Sequence, residues 1–528
     1  MGGPHTLARL ADWAADVHGD AEALTFRGTV WTFRTLRDQV DRAARALMAQ
    51  GLRPGESVGV WASNSDRWVI AALGALAAGG VLVPVNTRYR AAEAADILRR
   101  ARARVLLTEH DFLGRDYRAE LAHGHELPAL ERVVALHDDV AWATFLASGD
   151  AVTTREREER SAAVTPDAPS DLLFTSGTTG HPKGVIGEHG QVVRASRDWA
   201  RSVTLQFGDR YLLVNPFFHT FGYKAGFVAC LLTGATVLPE PLFDAARTLE
   251  RIERDRVSVL TGAPTVFLSL LHHPRRPAHD LSSLRMAGTG ASNIPVKLIE
   301  QIRELGAHTV FTAYGLTETN GFATICPPHE DAHTLAHTVG PAMPGTEIRI
   351  DASVGRFADG EGEVLVRGYQ VMRGYLDDPD ATATALDADG WLRTGDVGRL
   401  DERGFLTITD RLKDLFLVGG FNAYPAEIEQ ALRGHPALAD VAVVGAPDER
   451  LGEVGVAYCV AADGCGIDPA ELTGWARQRL ANFKVPRAFV PVDALPHNAA
   501  GKVDKVALRE RARKERPSPT TSGRTEPS

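Results

Sequence analysis

Cysteine is scarce: 528 residues hold four, Cys230, Cys326, Cys459 and Cys465, with no CxxC pair among them. That spacing excludes a zinc ribbon and a disulfide framework, and it predicts reduced thiols. No uncharged apolar run approaches the ~18 residues of a membrane span. The opening residues, MGGPHTLARLADWAADVHGD, lack a basic stretch followed by an apolar core. No secretory leader is therefore expected, and a cytoplasmic location is predicted. A basic stripe is also missing, and the net charge of −9 argues against a general nucleic-acid binder. Two familiar catalytic signatures are absent as well: there is no Gly-Lys-Ser/Thr of a Walker A loop and no GxSxG elbow.

Lysine is the sharpest shortage. The chain has eight lysines against fifty arginines, and none before Lys183. Arginine carries the generic surface charge, so a lysine here is more often needed for its compact ammonium. Lys183, Lys413 and Lys502 each fall in a glycine-rich or charged motif.

What is present reads as α/β. Over the first 160 or so residues, short β-rich runs (SVGVWA, VLVPVN, RVLLTE) alternate with Ala-rich helical stretches, and ALTFRGTVWTF reads as a hairpin. That rhythm predicts a largely parallel, doubly wound sheet. A charged stretch, TTREREERSAAVTPDAPS, bridges to a glycine-rich loop. Beyond it GATVLPE, VSVLTGAP, LRMAGTG and HTVFTAYG read as buried strands ending in small residues. Such strand ends are where open α/β sheets bind ligands. From about Glu347 the strands shorten into a β-rich subdomain, and after DRLKD a small α/β unit follows. The predicted domains are 1–410, 411–510 and a disordered polar tail, 511–528.

The loop TSGTTGHPKG follows the apolar DLLF. Gly177, Gly180 and Gly184 let backbone N–H groups turn inward. Thr175, Ser176, Thr178 and Thr179 add hydroxyls, and Lys183 adds charge: the chemistry of a phosphate cradle. In AYGLTET, Thr317 and Glu318 place a hydroxyl donor beside a carboxylate, which suits a phosphate oxygen and Mg²⁺, although helix N-caps look similar. WLRTGD sets Asp396 after a glycine turn, as a grip on ribose hydroxyls or as a turn aspartate. PHNAAGKVDK puts Lys502 in a Gly/Asn loop.

Together with NPFFHTFGY and DRLKDLFLVGGFNAYPAEIE, these motifs in this order resemble the adenylate-forming superfamily, specifically its acyl-CoA synthetases, from about residue 5 to 510. The resemblance implies a large adenylate-forming domain with a small mobile C-terminal domain. It also implies an AMP-forming reaction: carboxylate and ATP give acyl-AMP and pyrophosphate, and CoA then displaces AMP. Thr175, Ser176, Gly177, Thr178, Thr179, Gly180 and Lys183 would hold the β- and γ-phosphates. Thr317 would donate to the α-phosphate, and Glu318 would ligate Mg²⁺. Tyr314 would pack on adenine beside Gly290, Ala291 and Ser292, with Asp396 and Arg411 on the ribose. Lys502 would bridge the substrate carboxylate and the α-phosphate. The small domain would rotate about Lys413 and bring Gly419 and Gly420 to CoA. A further lysine common in the family is Leu417 here, so its role does not carry over. His219, Phe221, Gly222, Lys224, Gly288 and Gly315 would border the acyl pocket, with Lys224 open to a pocket, surface or supporting position. No aspartate follows the FFHTF motif, which disfavours an amino acid substrate.

Within the family the chain is most similar to actinobacterial ligases that act late in steroid degradation, on a propionate side chain carried by a methyl-indanedione. A medium-chain fatty or aryl acid ligase, a carrier-loading enzyme and a non-catalytic nucleotide-binding protein are the alternatives. The implied partners are a carboxylic acid, ATP and CoA, with no nucleic acid and no membrane span; a homodimer is left open.

Overall fold

The computed structural model describes residues 3–122, 125–175, 182–290, 294–354, 360–412, 414–418, 421–448, 451–480, 482–498 and 501–515. It divides into two compact units: Met1–Glu347 with Val366–Leu392, and Ile348–Leu365 with Arg393–Ser528. The boundary predicted at residue 410 falls inside the second unit. There the strands Leu392–Leu400 and Leu406–Arg411 pair antiparallel, placing Asp396 opposite Arg411.

The first unit is built on two sheets. A six-stranded sheet runs in the spatial order Arg132–Ala135, Val105–Thr108, Ser57–Trp61, Val81–Pro84, Pro169–Thr175, Lys183–Glu188. Its pairs are parallel except the last, a hairpin. An eight-stranded sheet runs Thr324–Cys326, Thr309–Tyr314, Met286–Thr289, Val259–Gly262, Arg210–Leu213, Thr236–Pro239, Glu22–Phe26, Thr29–Thr32. It is parallel inside and antiparallel at both ends. One apolar core takes side chains from both sheets, Val58 and Val60 from the first, Tyr211 and Met286 from the second. The helix Asp66–Ala77 is buried at every residue from Trp68 to Ala77. Its sequence, DRWVIAALGALA, is apolar on all sides, as an enclosed helix requires.

The bridging stretch read as a charged connection is instead a helix, Thr154–Ala162, started by a capping box between Thr153 and Glu156. One face is not solvated. The Arg157 guanidinium is buried and grips Asp12 and Asp41 at 2.7 and 2.8 Å. Charge composition alone hid this helix, because its anchoring partners lie over a hundred residues away.

A four-stranded sheet, drawn mostly from the second unit, is ordered Thr346–Asp351, Gly362–Gly368, Leu392–Leu400, Leu406–Arg411. A further sheet is ordered Phe421–Ala423, Phe416–Val418, Gly452–Ala461, Leu438–Asp448, with Ala488–Pro491 parallel to Gly452–Ala461. The terminal helix Lys505–Glu515 runs past Arg511, so the segment expected to be disordered starts with helix. Leu508 and Ala512 are buried, and that apolar spacing outweighs the polar composition of the tail.

The turn carrying Thr317 and Glu318 is held shut by its own backbone. Gly321 N donates to Leu316 O at 2.7 Å, and Ala323 N donates to Tyr314 O at 2.9 Å. A Cβ on Gly315 would lie 2.2 Å from Gly321 O. Gly315→Ala is therefore expected to cost about 1–3 kcal/mol, read as a lowered thermal midpoint.

Candidate active site

The glycine-rich loop is the tip of a hairpin. Pro169–Thr175 pairs antiparallel with Lys183–Glu188, and Thr175 faces Lys183 in register. The tip residues Ser176, Gly177, Thr178, Thr179 and Gly180 lie outside the described residues. Thr175 Oγ1 donates to Lys183 O at 3.5 Å. The Lys183 ammonium sits 4.9 Å from the centre of the Tyr375 ring. Tyr375 is brought there by its own backbone: Val185 and Tyr375 form an antiparallel bridge, and Leu376 N donates to Gly184 O at 2.7 Å.

The same tyrosine reaches Glu318. Its hydroxyl donates to Glu318 Oε1 at 2.9 Å, and Met372 N donates to Glu318 O at 2.7 Å. Burial, then the Glu318 charge, pushes the Tyr375 phenol far up, so it remains a donor. Lys183 and Glu318 thus meet through one residue that the sequence reading missed. GYLDD has no signature of its own; only the pairing of its backbone with the hairpin reveals its place.

Tyr314 ends the strand Thr309–Tyr314, and Gly290 follows the neighbouring parallel strand Met286–Thr289. The two stand at adjacent carboxyl ends of the sheet, where ligands of open α/β sheets bind. Ala291 and Ser292 lie outside the described residues. Thr317 and Glu318 are half-buried on a 3₁₀ turn, Thr317–Thr319, one step further along.

Of the residues assigned to an acyl pocket, His219 is exposed and caps the short helix Thr220–Gly222. Its Nδ1 accepts from Phe221 N at 3.3 Å, which puts the neutral ring's proton on Nε2. Phe221 is half-buried, its ring 5.9 Å from the Trp199 ring and edge-on to it. The glycines serve close packing. A Cβ would lie 2.2 Å from Pro216 O at Gly222 and 2.2 Å from the Phe311 ring at Gly288.

Lys224 takes the supporting position among the three left open. The residue lies on a π-helical turn, Tyr223–Val228, and is 1% exposed. Its ammonium donates to Asp171 Oδ1 at 2.8 Å and to Asn320 Oδ1 at 2.6 Å. A buried carboxylate and an amide hold it, so it offers no ammonium to the surface or to an acyl group.

In the second unit Asp396 is almost fully buried, and its Oδ1 lies 3.1 Å from Arg411 Nε. The chain turns into Asp396 at Gly395, whose φ of +68° favours glycine. Gly395 N donates to Glu363 Oε1 at 3.1 Å, and Thr394 Oγ1 donates to Val364 O at 2.6 Å. Both residues assigned to the ribose are therefore brought together by strand register. Lys502 is exposed on a tight turn in which Asn498 N donates to Lys502 O at 2.8 Å and Lys502 N donates to Asn498 Oδ1 at 3.1 Å. Lys413, Gly419 and Gly420 lie outside the described residues. Beside Lys413's position, Asp410 accepts from Arg411 N at 2.7 Å and Ala426 N at 3.1 Å. Burial raises its carboxyl to about 6 despite those donors.

In the first unit Lys183 and Glu318 share Tyr375, and in the second Asp396 is buried after a glycine turn. The sequence model of the AMP-binding enzyme matches residues 11–376, and that of the AMP-binding enzyme C-terminal domain matches 427–502. The chain belongs to this family of AMP-binding enzymes, among its AMP-forming acyl-CoA ligases. It is 52% identical over 499 residues, 93% of this chain and 96% of the relative, to a Mycobacterium tuberculosis protein named 3-[(3aS,4S,7aS)-7a-methyl-1,5-dioxo-octahydro-1H-inden-4-yl]propanoyl:CoA ligase. A Rhodococcus jostii protein of the same name is 47% identical over 517 residues, 96% of this chain and 99% of that one. Among solved structures, o-succinylbenzoate coenzyme A synthetase from Bacillus subtilis, in complex with ATP and magnesium ion, is similar at a TM-score of 0.80. It is 29% identical and covers 95% of this chain and 98% of that one.

Two predictions come from this geometry. Tyr375→Phe keeps the ring under Lys183 but removes a hydrogen bond to a charged group, worth about 1.5–3 kcal/mol. It should lower kcat/KM for MgATP about 10- to 100-fold, measured by pyrophosphate exchange. For Asp410, the folded pKa of about 6 lies above the ordinary aspartate value of 3.8. The native state therefore holds the extra proton between those values, and stability falls as pH rises through that window. Thermal midpoints from pH 4 to 7 should show wild type losing ground to Asp410→Asn as pH rises.

Proposed function

We propose that this enzyme activates a propionate carried on a methyl-dioxo-octahydroindene ring system, the acid named in its relatives. The observation that carries the reading is 52% identity over 93% of the chain.

In the first half-reaction a carboxylate oxygen attacks the α-phosphorus of ATP, and the bond to pyrophosphate breaks. Two anions must approach, so placed cations are the main requirement. Lys183 and the Thr175 hydroxyl meet the β- and γ-phosphates together with the hairpin tip. Thr317 donates to the α-phosphate, Tyr314 and Gly290 flank adenine, and Asp396 with Arg411 holds the ribose. Lys502 neutralises the carboxylate and α-phosphate as they close.

Glu318 is the residue that would hold Mg²⁺. Its carboxylate accepts a hydrogen bond on one oxygen, Thr317 stands beside it, and the described residues contain no group of three ligating side chains. Such a site suits a cation bound by one carboxylate plus substrate phosphates and water. Bound there, Mg²⁺ would offset charge on the departing pyrophosphate. In the second half-reaction the CoA sulfur attacks the acyl carbonyl, AMP leaves and the thiol proton is released. Rotation about Lys413, with Gly419 and Gly420 reaching CoA, accounts for the exchange of roles between the two steps.

The test is mass spectrometry of purified enzyme with MgATP, CoA and a panel of ring propionates, straight-chain acids and aryl acids. AMP with the ring-propionyl thioester is expected; AMP with only fatty or aryl thioesters would overturn the substrate. Lys502→Met should lower pyrophosphate exchange about 10²–10³-fold while thioester formation from supplied acyl-adenylate persists.

A further inference from the structure

We propose that Lys224 is a positioning residue for adenylation: its buried ammonium fixes the strand that enters the phosphate hairpin to the turn that carries Glu318. The proposal rests on the adenylation roles given above to Lys183, Thr175 and Glu318.

Three segments converge on this ammonium. Asp171 lies on the hairpin strand Pro169–Thr175, four residues before Thr175, and is 0% exposed. Its Oδ1 accepts from Lys224, and its Oδ2 accepts from Ser170 Oγ at 2.8 Å. On the partner strand Gly187 faces it in register, and a Cβ there would come within 2.8 Å of its carboxylate. Asp171 thus occupies a slot cut to its size. His189, the other basic group near it, is held at about 4 by burial and stays neutral near pH 7.

Asn320 is two residues beyond Glu318, buried, with a left-handed φ of +55° that asparagine tolerates. Its Oδ1 accepts from Lys224, and its Nδ2 donates to Gln370 O at 2.9 Å, on the segment that leads to Tyr375. The third segment is the π-helical turn bearing Lys224, which kinks at Gly226 (φ −91°, ψ −110°) and follows the His219–Phe221 stretch. A π turn is an uncommon way to continue a helix and recurs at functional sites. Here it sets the ammonium between a carboxylate and an amide from two different parts of the fold.

In this arginine-rich chain the buried place between two single acceptor oxygens suits a compact ammonium. The consequence is rigid registry: one ammonium links the Glu318 turn to the strand of Asp171, whose hairpin partner carries Lys183. Misplacement of the order of 1 Å at such groups costs on the order of 10²-fold in rate.

A buried ion pair also contributes to folding, and the test separates that from positioning. Asn320→Gly suits the left-handed backbone, leaves the Lys224–Asp171 pair intact and deletes the link to the Glu318 turn. Lys224→Met/Asp171→Leu removes both charges together, so no uncompensated charge remains buried. Each is assayed beside wild type for pyrophosphate exchange, with whichever acid wild type adenylates, for thioester formation from supplied acyl-adenylate, and for thermal midpoint. An acid found by wild type outside the ring-propionate class would revise the substrate and leave this comparison intact. Expected is a loss of exchange on the order of 10²-fold, with raised KM for MgATP, in Asn320→Gly and in any folded double variant. Thioester formation from acyl-adenylate should be retained. Exchange by Asn320→Gly indistinguishable from wild type, or both half-reactions falling together in proportion to the thermal midpoint, would overturn the proposal.

Discussion

A fully buried carboxylate has to be neutralised where it stands, and Asp171 lies just upstream of the phosphate hairpin. Lys224 meets that requirement from another part of the chain, and in doing so it ties down Asn320 and the turn behind Glu318. Above this anchor, Tyr375 spans from Lys183 to Glu318. The segments around Lys183 and Glu318 are therefore linked twice, through the Lys224 ammonium and through the Tyr375 phenol. The Lys183 ammonium lies over a ring face, and Tyr375 occupies one of the two Glu318 oxygens.

Much of this arrangement could be read from the chain. TSGTTGHPKG joins the two strands of a hairpin, YGLTE begins at a strand end and WLRTGD holds a glycine turn, as their residue patterns imply. Local pattern fixes such features, because strand periodicity and turn residues act over a few positions. Asp396 and Arg411 were paired by resemblance and are paired in space by register.

What escaped reading depends on distance along the chain. Tyr375 has no motif, and its role comes from backbone pairing with Val185. Lys224 reads as a residue bordering an acyl pocket, because its partners Asp171 and Asn320 lie 53 and 96 residues away along the chain. The helix around Arg157 was hidden by a charged composition whose meaning lay in Asp12 and Asp41. The tail helix was hidden similarly, by two buried residues in a polar stretch.

The shortage of lysine has a chemical side as well. An acyl-adenylate is a mixed anhydride that acylates free amines. Guanidinium groups stay protonated and are poor nucleophiles. Of the lysines described, Lys224 is enclosed and Lys484 and Lys505 are ion-paired with Glu427 and Glu429. Lys297, Lys502 and Lys514 are the exposed ones among the described residues. Activated acid that escapes before CoA arrives meets a surface of arginine, so the enzyme offers its own reactive intermediate few amines to acylate.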